Sequence, residues 1–217
     1  MKMRTALTLG LVTIIFGATS LLADDKPSSQ MIVPPPTLRS GAYFEVDAGL
    51  NVPDNIASQH GAMSLRSGVR CDVSLGYAIK IVNHLTIAPA AELGILYNEL
   101  GAATSAKGGS AQVSGSFYQV PLMGNLIVNW EFFPHGVLYG GGGAGVAYNK
   151  LNVTGVKGIS TDVTNGEGDF AWQAMVGLRY TIRACELGIG YKYLAVEPSG
   201  LSNIGNNAIM ASFAVHF

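Results

Sequence analysis

Residues 170–182, with the sequence FAWQAMVGLRYTI, show the clearest alternation of apolar and polar side chains in the chain. Every second side chain from Phe170 to Ile182 is apolar, whereas Gln173 and Arg179 lie between them. Successive side chains of a β-strand point to opposite faces of the sheet, so this period of two predicts a strand with one apolar and one polar face. A tilted strand of about ten residues is long enough to cross a bilayer.

The same alternation recurs in seven further stretches. They are residues 42–51, 69–80, 85–98, 118–129, 137–149, 186–193 and 209–217, of which 137–149 has the weakest pattern because of its glycine run at 140–143. Short connections near 82–84, 129–136 and 183–184 alternate with long ones at 53–67, 98–114, 150–168 and 195–207. This arrangement is typical of a transmembrane barrel. We therefore predict an all-β fold over residues 41–217, an up-and-down, eight-stranded antiparallel transmembrane β-barrel.

The composition fits a chain that meets an apolar solvent. Hydrophobic residues make up 48% of the chain and charged residues only 12%, about half the charge of an ordinary soluble domain. The net charge of −1 offers no basic surface, so nucleic-acid binding is not expected. A soluble lipocalin-like barrel or sandwich would also alternate, but it would turn its apolar face inward and need more surface charge.

Aromatic residues near the ends of the apolar faces argue for the membrane alternative. Girdles of aromatic side chains mark the two lipid–water interfaces of membrane barrels. We predict girdle positions at Tyr77, Tyr97, Tyr118, Trp130, Tyr148, Trp172, Tyr180 and Tyr193.

The N-terminal residues predict export. Lys2 and Arg4 precede the apolar residues 6–18, and small residues follow at Ser20 and Ala23. This is the pattern of a signal peptide, which we place at residues 1–23 with cleavage after Ala23 or Ser20; an uncleaved anchor is the alternative. Residues 24–40 are rich in proline and serine and predict an extended, solvated periplasmic tail.

The strands resemble those of the outer-membrane β-barrel domain family, which includes OmpA-like and opacity-type eight-stranded surface proteins. The likeness lies in FYQVPLMGNL at 117–126, VLYGGGGAGVAY at 137–148, FAWQAMVGLRY at 170–180 and LGIGYKY at 187–193. It implies an integral, monomeric outer-membrane protein in contact with outer-membrane lipid and lipopolysaccharide. The alternating C-terminal residues Phe213, Val215 and Phe217 resemble the signal that the barrel-assembly machinery recognises.

Nine charged side chains are predicted to face the lumen from the polar faces of the strands. They are Glu45, Asp47, Arg70, Asp72, Lys80, Glu92, Arg179, Glu186 and Lys192. They could line a selective pore or a proton path, or they could form a packed ion-pair network, since a confined charge needs a partner.

Two groups of lumen charges are expected. Diagonal pairing across the turn at 183–184 predicts an Arg179–Glu186 ion pair near the turn end, with Glu45 and Lys80 at a similar height. The second group, nearer the loops, comprises Arg70, Asp72, Glu92 and Lys192.

Other residues that can carry chemistry are scattered. His60 lies near Asp54 and three serines in a long loop, His84 and His135 lie in short turns, and His216 is close to the C-terminus. This distribution predicts no catalytic residue, and the sequence also predicts no metal ligand and no cofactor, because the glycine run lacks the Lys-Ser/Thr of a phosphate-binding loop.

Two cysteines and two prolines lie in or beside the predicted strands. Cys71 and Cys185 are expected at opposite barrel ends, too far apart for a disulfide, with one thiol on the lipid face. Pro89 and Pro121 fall inside strands and predict a local bulge or a missing ladder bond.

The sequence thus predicts a non-enzymatic scaffold that presents four extracellular loops to other surfaces, including a host or cell-surface ligand. A small passive diffusion pore for ions or small solutes is the first alternative. A lipid-modifying outer-membrane enzyme is the second.

Overall fold

The computed structural model describes residues 38–58, 61–105, 110–156, 159–164, 168–197 and 203–217. Within these ranges the regular elements are twelve β-strands: β1 (Gly41–Pro53), β2 (Ile56–Ser58), β3 (Gly61–Leu65), β4 (Gly68–Val82), β5 (Leu85–Ser105), β6 (Ser110–Gln112), β7 (Ser114–Phe133), β8 (Gly136–Val156), β9 (Ile159–Thr164), β10 (Asp169–Ile182), β11 (Cys185–Glu197) and β12 (Ile204–His216). The same residues contain no helix that is long and apolar enough to cross a membrane. The predicted signal peptide and residues 24–37 of the predicted tail lie outside the described residues.

Eight long strands of the described chain close into a ring. Their order is β1-β4-β5-β7-β8-β10-β11-β12, each antiparallel to its neighbour, and the β1–β12 and β5–β7 pairings complete the circle. A closed sheet leaves no unpaired edge to face lipid, where backbone groups find no water to bond. The predicted eight-stranded antiparallel barrel is confirmed.

The barrel is apolar outside and polar inside. Leu75 on β4 is 62% exposed and Ile189 on β11 is 59% exposed, whereas Arg70 and Gln173 are buried. A soluble barrel has the opposite arrangement, with its apolar face in the core. The period of two therefore assigned the two faces of the strands correctly.

Tight turns connect the strands at one end of the barrel. Asn83–His84, Pro134–His135 and Arg183–Ala184 are two-residue turns between paired strands. His135 and Arg183 have φ angles of 69° and 55°. The positive φ of Arg183, the first residue of its turn, is typical of two-residue hairpin turns whose twist matches the twist of the strands.

At the other end the strands run further than the alternation predicts. β5 and β8 each have 21 residues and β7 has 20. Residues 98–105, expected in a loop, continue β5; the first two of them pair with β7 and residues from Leu100 on pair with β3 and β6. Parts of the predicted long loops are thus paired hairpins, which satisfy their backbone groups without help from the barrel.

The two strand prolines interrupt the ladder without changing its register. The β4–β5 pairing passes from Gly76–Ala90 to Ile79–Ile87, leaving Pro89 without a partner on β4. The β5–β7 pairing passes from Leu93–Leu122 to Leu96–Gln119 and omits Pro121. A missing pairing, one of the two predicted outcomes, is therefore what the structure shows, since proline has no N–H to donate.

The glycine run lies within β8, where it makes room for neighbours. A Cβ on Gly143 would collide with the Asn125 side-chain oxygen, and one on Gly141 would meet the backbone of Leu126 at 2.5 Å. The run therefore serves packing of the barrel wall and interior, as expected for glycines in a barrel strand.

Candidate functional site

The centre of the lumen holds one ammonium group between three carboxylates. Lys192 Nζ donates to Asp47 Oδ2 at 2.6 Å, to Asp72 Oδ2 at 2.9 Å and to Glu92 Oε2 at 3.0 Å. Lys192 comes from β11, whereas Asp72 and Glu92 come from β4 and β5 on the far side of the ring. The lysine thus connects opposite walls of the barrel through its interior.

Arg70 extends the same cluster. Its Nε donates to Asp72 Oδ2 at 2.9 Å, and its Nη2 donates to Glu92 Oε1 at 3.2 Å and to Gln173 Oε1 at 2.9 Å. Gln173 Nε2 in turn donates to Glu92 Oε1 at 3.0 Å and to Asn125 Oδ1 at 2.8 Å. We call Asp47, Arg70, Asp72, Glu92 and Lys192 the central ion cluster.

The structure brings together the four residues predicted as the loop-side group, Arg70, Asp72, Glu92 and Lys192, and adds Asp47 to them. All five members of the central ion cluster are buried. The sequence did not predict the amides of Gln173 and Asn125 as partners. Their place on the polar faces of β10 and β7 was the available signal.

The turn-side group differs from the prediction. Arg179 Nη2 donates to Glu45 Oε1 at 2.6 Å rather than to Glu186, and the guanidinium lies 4.0 Å from the centre of the Tyr139 ring. Gly188 lies opposite Arg179 in the ladder, and a Cβ there would meet Arg179 Cγ at 2.9 Å. The absent side chain leaves space for Arg179 to reach across the lumen to β1, so the predicted Arg179–Glu186 pair is wrong.

Glu186 has other partners. His216 Nε2 lies 3.2 Å from Glu186 Oε1, and Thr181 Oγ1 donates to the same oxygen at 3.5 Å. Among the described residues, the close partners of Glu186 are therefore His216 on the C-terminal strand and Thr181, and Arg179 pairs with Glu45 instead.

Lys80 is not part of the lumen network. It is exposed near the end of β4, where its backbone N–H donates to Ser40 Oγ at 3.1 Å. The β4–β5 register shifts between Lys80 and Val82, so the regular alternation ends here. A long cation at the barrel mouth reaches water, which costs less than burial.

Leu38 closes the turn end of the lumen. It is 6% exposed and lines a small cavity with Tyr43, Arg179, Glu186 and His216. The prediction of a solvated tail over residues 24–40 is therefore wrong at Leu38, because this apolar side chain packs into the barrel mouth instead of meeting water.

Two further layers close the loop end. Asn51 Nδ2 donates to Asn98 Oδ1 at 3.1 Å and to Asn206 Oδ1 at 3.0 Å, and we call these three residues the asparagine layer. Beyond it lies a buried apolar cluster, the apolar cap, which comprises Leu100, Val113, Phe117 and Ile204. Neither layer could be predicted from the sequence, because only the fold brings together these residues, most of which lie on β1, β5, β7 and β12.

The carboxylates of the central ion cluster also have the spacing of a metal site. Oxygen atoms of Asp47, Asp72 and Glu92 lie within 4.8 Å of one another. Lys192 Nζ lies within 3.0 Å of all three residues, and Arg70 contacts Asp72 and Glu92. The ammonium group thus lies where the three carboxylates converge.

The histidines are separated from one another. His84 Nδ1 lies 3.7 Å from Glu131, and His216 lies beside Glu186. His135 contacts the Tyr180 ring at 5.8 Å between centroids. His60, considered with Asp54 and its neighbouring serines as a catalytic candidate, lies outside the described residues.

The outer surface carries the predicted aromatic residues. Exposed rings are those of Tyr77, Tyr118, Trp130, Tyr148, Trp172 and Tyr180. Tyr97 and Tyr193 are half-buried because they pack on Tyr118 and Trp172, at 5.0 and 5.4 Å between centroids.

The C-terminal residues and cysteines also lie where the alternation places them. Phe213 and Phe217 are exposed on the outer face, and Val215 between them is half-buried. Both Cys71, exposed on the lipid face, and Cys185 are free thiols.

Comparison with solved structures shows the same fold in a neisserial surface protein. Neisserial surface protein A has a TM-score of 0.53 and 16% identity, with 82% of this chain and 98% of that chain covered. Weaker likenesses have TM-scores of 0.48 and 0.45. The first is to the outer membrane protease OmpT from Escherichia coli, which is 8% identical, with 83% of this chain and 99% of that chain covered. The second is to Ail, the attachment invasion locus protein of Yersinia pestis, which is 11% identical, with 81% of this chain and 99% of that chain covered.

The sequence itself matches a family model. None of the curated proteins compared with the chain matches it by sequence. The model of the outer membrane protein beta-barrel domain, however, matches residues 31–217, which include every strand of the closed barrel. The protein is thus an integral outer-membrane protein, and the chain belongs to the outer membrane protein beta-barrel domain family.

Proposed function

We propose that this protein is a non-enzymatic scaffold of the outer membrane, whose closed barrel presents four extracellular loops to other surfaces. The observation that carries the proposal is the position of Lys192, whose ammonium group bridges carboxylates from the opposite side of the lumen. An eight-stranded barrel is just wide enough to be filled by its own side chains. A solute passing through would have to separate these charges.

The buried ion pairs favour a closed lumen. Breaking a buried ion pair leaves an uncompensated charge and costs roughly 3–5 kcal/mol. Arg70, Lys192 and Arg179 are each paired with carboxylates in the interior. Thermal opening of such an interior is rare, which supports a scaffold over a steady pore.

The loop end supports a role in presenting surfaces. The β2–β3 hairpin, β6 and β9 extend the sheet beyond the closed ring on the side opposite the tight turns. In bacterial outer-membrane barrels the short turns face the periplasm and the longer connections face outside. Lipopolysaccharide and the surface of a host or another cell are the partners proposed for this end, and the barrel-assembly machinery is proposed to recognise Phe213, Val215 and Phe217.

The interior gives little support to catalysis. Glu186, the carboxylate nearest to His216, lies in the turn-end mouth that Leu38 closes. A general base must reach the proton that it removes from a bound substrate. In the part of the chain that the structure describes, the packing around Glu186 and His216 leaves no room for such a substrate, and we propose that the protein is not an enzyme.

Single-channel recording in planar bilayers tests the proposal. Refolded protein, checked for its β-sheet circular dichroism, should give no steady unitary conductance in symmetrical KCl, while a porin recorded in the same bilayers conducts. Steady conductance from the folded protein would contradict the scaffold function and support the diffusion pore. Mass spectrometry of lipid A from expressing cells should show no new species, and a new mass that depends on expression would indicate the lipid-modifying enzyme.

A further inference from the structure

A cleft of about 280 Å³ opens near the loop end, at a one-residue shift in the register between β5 and the chain segment that carries β6 and β7. The last β5–β7 pair is Glu99–Ser116, and from Ala102 onwards β5 pairs with β6, which Val113 alone separates from β7. Between the two registers, Val113 N–H donates to the Gly101 carbonyl at 3.1 Å. We call this the fork cleft, and its walls include backbone of Gly101, Ser114 and Gly115.

Polar, aromatic and apolar side chains line the fork cleft, and the charges among these lining residues balance. Arg66 and Glu99 form an ion pair at 3.8 Å, and their side chains are 63% and 57% exposed. Ser114 is exposed beside them, and the Tyr97 ring, packed on Tyr118, forms part of the wall. The cleft thus offers a guanidinium, a carboxylate, a hydroxyl and an aromatic ring.

We propose that the fork cleft binds a neutral saccharide of one or two rings. The opposite charges of Arg66 and Glu99 cancel, so the cleft attracts neither anions nor cations by net charge. A guanidinium offers donors in a fixed fork and a carboxylate offers paired acceptors, which match the neighbouring hydroxyls of a sugar. The Tyr97 ring supplies an apolar surface for the C–H face of a sugar, as amphipathic aromatic side chains do.

The volume and the position of the cleft limit the size and the source of the saccharide. Binding pockets for small molecules usually enclose about 300–1,000 Å³, so a volume of about 280 Å³ suits a small ligand. The cleft begins at the Tyr97–Tyr118 pair, which belongs to the aromatic girdle at the lipid–water interface. A saccharide here could be the headgroup of a glycolipid in the outer leaflet or a free glycan. The inference rests on the proposed function only in taking the loop end as extracellular.

Titration of the protein in phosphatidylcholine nanodiscs tests the site. Saturation-transfer-difference NMR measures the binding. We expect saturable binding of at least one of the disaccharides chitobiose, maltose and lactose. Glu99→Ala and Tyr97→Ala should each weaken that binding about tenfold, the effect of losing one hydrogen bond to a charged group or one ring contact. Tyr193→Ala is the matched control, because Tyr193 packs on Trp172 in an uninterrupted part of the sheet, and it should leave binding unchanged.

Nanodiscs that contain lipopolysaccharide distinguish the two sources. Loss of the free-disaccharide signal in them would show that the glycolipid headgroup occupies the cleft, and a retained signal would point to free glycans; both support the site. Absence of saturable binding for all three disaccharides, or binding that Glu99→Ala and Tyr97→Ala leave unchanged, would overturn it. Conductance depends on the lumen and not on the cleft, so this proposal and the scaffold proposal can fail separately.

Discussion

The ammonium group of Lys192 lies within 3.0 Å of carboxylates from Asp47, Asp72 and Glu92. In Lys192→Met a similar volume is retained but Arg70 is left to neutralise three buried carboxylates. We expect the free energy of unfolding to fall by roughly 3–5 kcal/mol, measured by denaturant titration in lipid vesicles. Lys80→Met is the control, since Lys80 is exposed and its replacement should change stability by less than about 0.5 kcal/mol. Equal effects of the two changes would contradict the central role of Lys192.

The shorter variant Lys192→Ala leads to a second expectation. It removes the cation from a set of carboxylate oxygens that lie within 4.8 Å of one another. Calcium ions bind carboxylate oxygens at about 2.3–2.6 Å with flexible geometry. Calcium should therefore raise the free energy of unfolding of Lys192→Ala more than that of the unchanged protein, by about 2.7 kcal/mol when its concentration is 100 times the dissociation constant. An equal shift in both proteins would show that the carboxylates do not act as a cation site.

The partner of Arg179 can be identified by comparing two carboxylate variants. Glu45→Gln removes the charge that lies 2.6 Å from the guanidinium and should cost roughly 3–5 kcal/mol of stability. Glu186→Gln leaves that pair intact and should cost clearly less. Denaturant titrations of both variants give the comparison, and the reverse order would support the Arg179–Glu186 pair expected from strand register.

At the scale of residues, the sequence predicted faces but not partners. The period of two placed eight of the nine predicted charges inside the described barrel, because the alternation of a strand determines the direction of each side chain. Which residue meets Arg179 across the lumen depends on barrel width and strand stagger. Neither quantity is encoded locally, so Glu45 on β1 could not be identified from the turn next to Arg179.

At the scale of strands, the outer faces should tolerate charge according to depth. Leu75 lies at the middle of β4 and is 62% exposed, and Ile81 lies near its end and is 52% exposed. Leu75→Arg should cost about 2–4 kcal/mol and Ile81→Arg about 0–1 kcal/mol, because an arginine near the interface reaches water. Folding titrations into vesicles measure both. Similar costs at the two positions would contradict the assigned membrane depth.

Strand boundaries were the part of each element that the sequence predicted least well. β8 runs from Gly136 to Val156, although its glycine run weakens the alternation, because its two neighbours supply the pairing. β5 continues to Ser105 because β3 and β6 pair with it there. Pairing with distant segments, which no local pattern records, thus determines where these strands end.

At the scale of the whole molecule, closure of the lumen is distributed over its height. Leu38 lies at the turn end, the central ion cluster at mid-height, and the asparagine layer and the apolar cap towards the loops. The central ion cluster, the asparagine layer and the apolar cap each draw residues from several strands, so closing the ring and filling the lumen support each other. On the scaffold proposal, opening any single layer should not open the lumen.

Removing the apolar cap alone should therefore leave the lumen closed. Leu100→Ala with Phe117→Ala deletes two buried cap side chains, but the asparagine layer and the central ion cluster remain in the path. The double variant, once shown to be folded, should give no steady conductance in planar bilayers. Adding Glu92→Ala and Lys192→Ala removes one anion and one cation from the central ion cluster, so the net charge is kept while the longest bridge across the lumen is lost. The asparagine layer and Leu38 still lie in the path of this fourfold variant, so it should give no steady conductance either, because ions need continuous water through every layer. Steady conductance from the cap variant would show that the remaining layers do not seal the barrel.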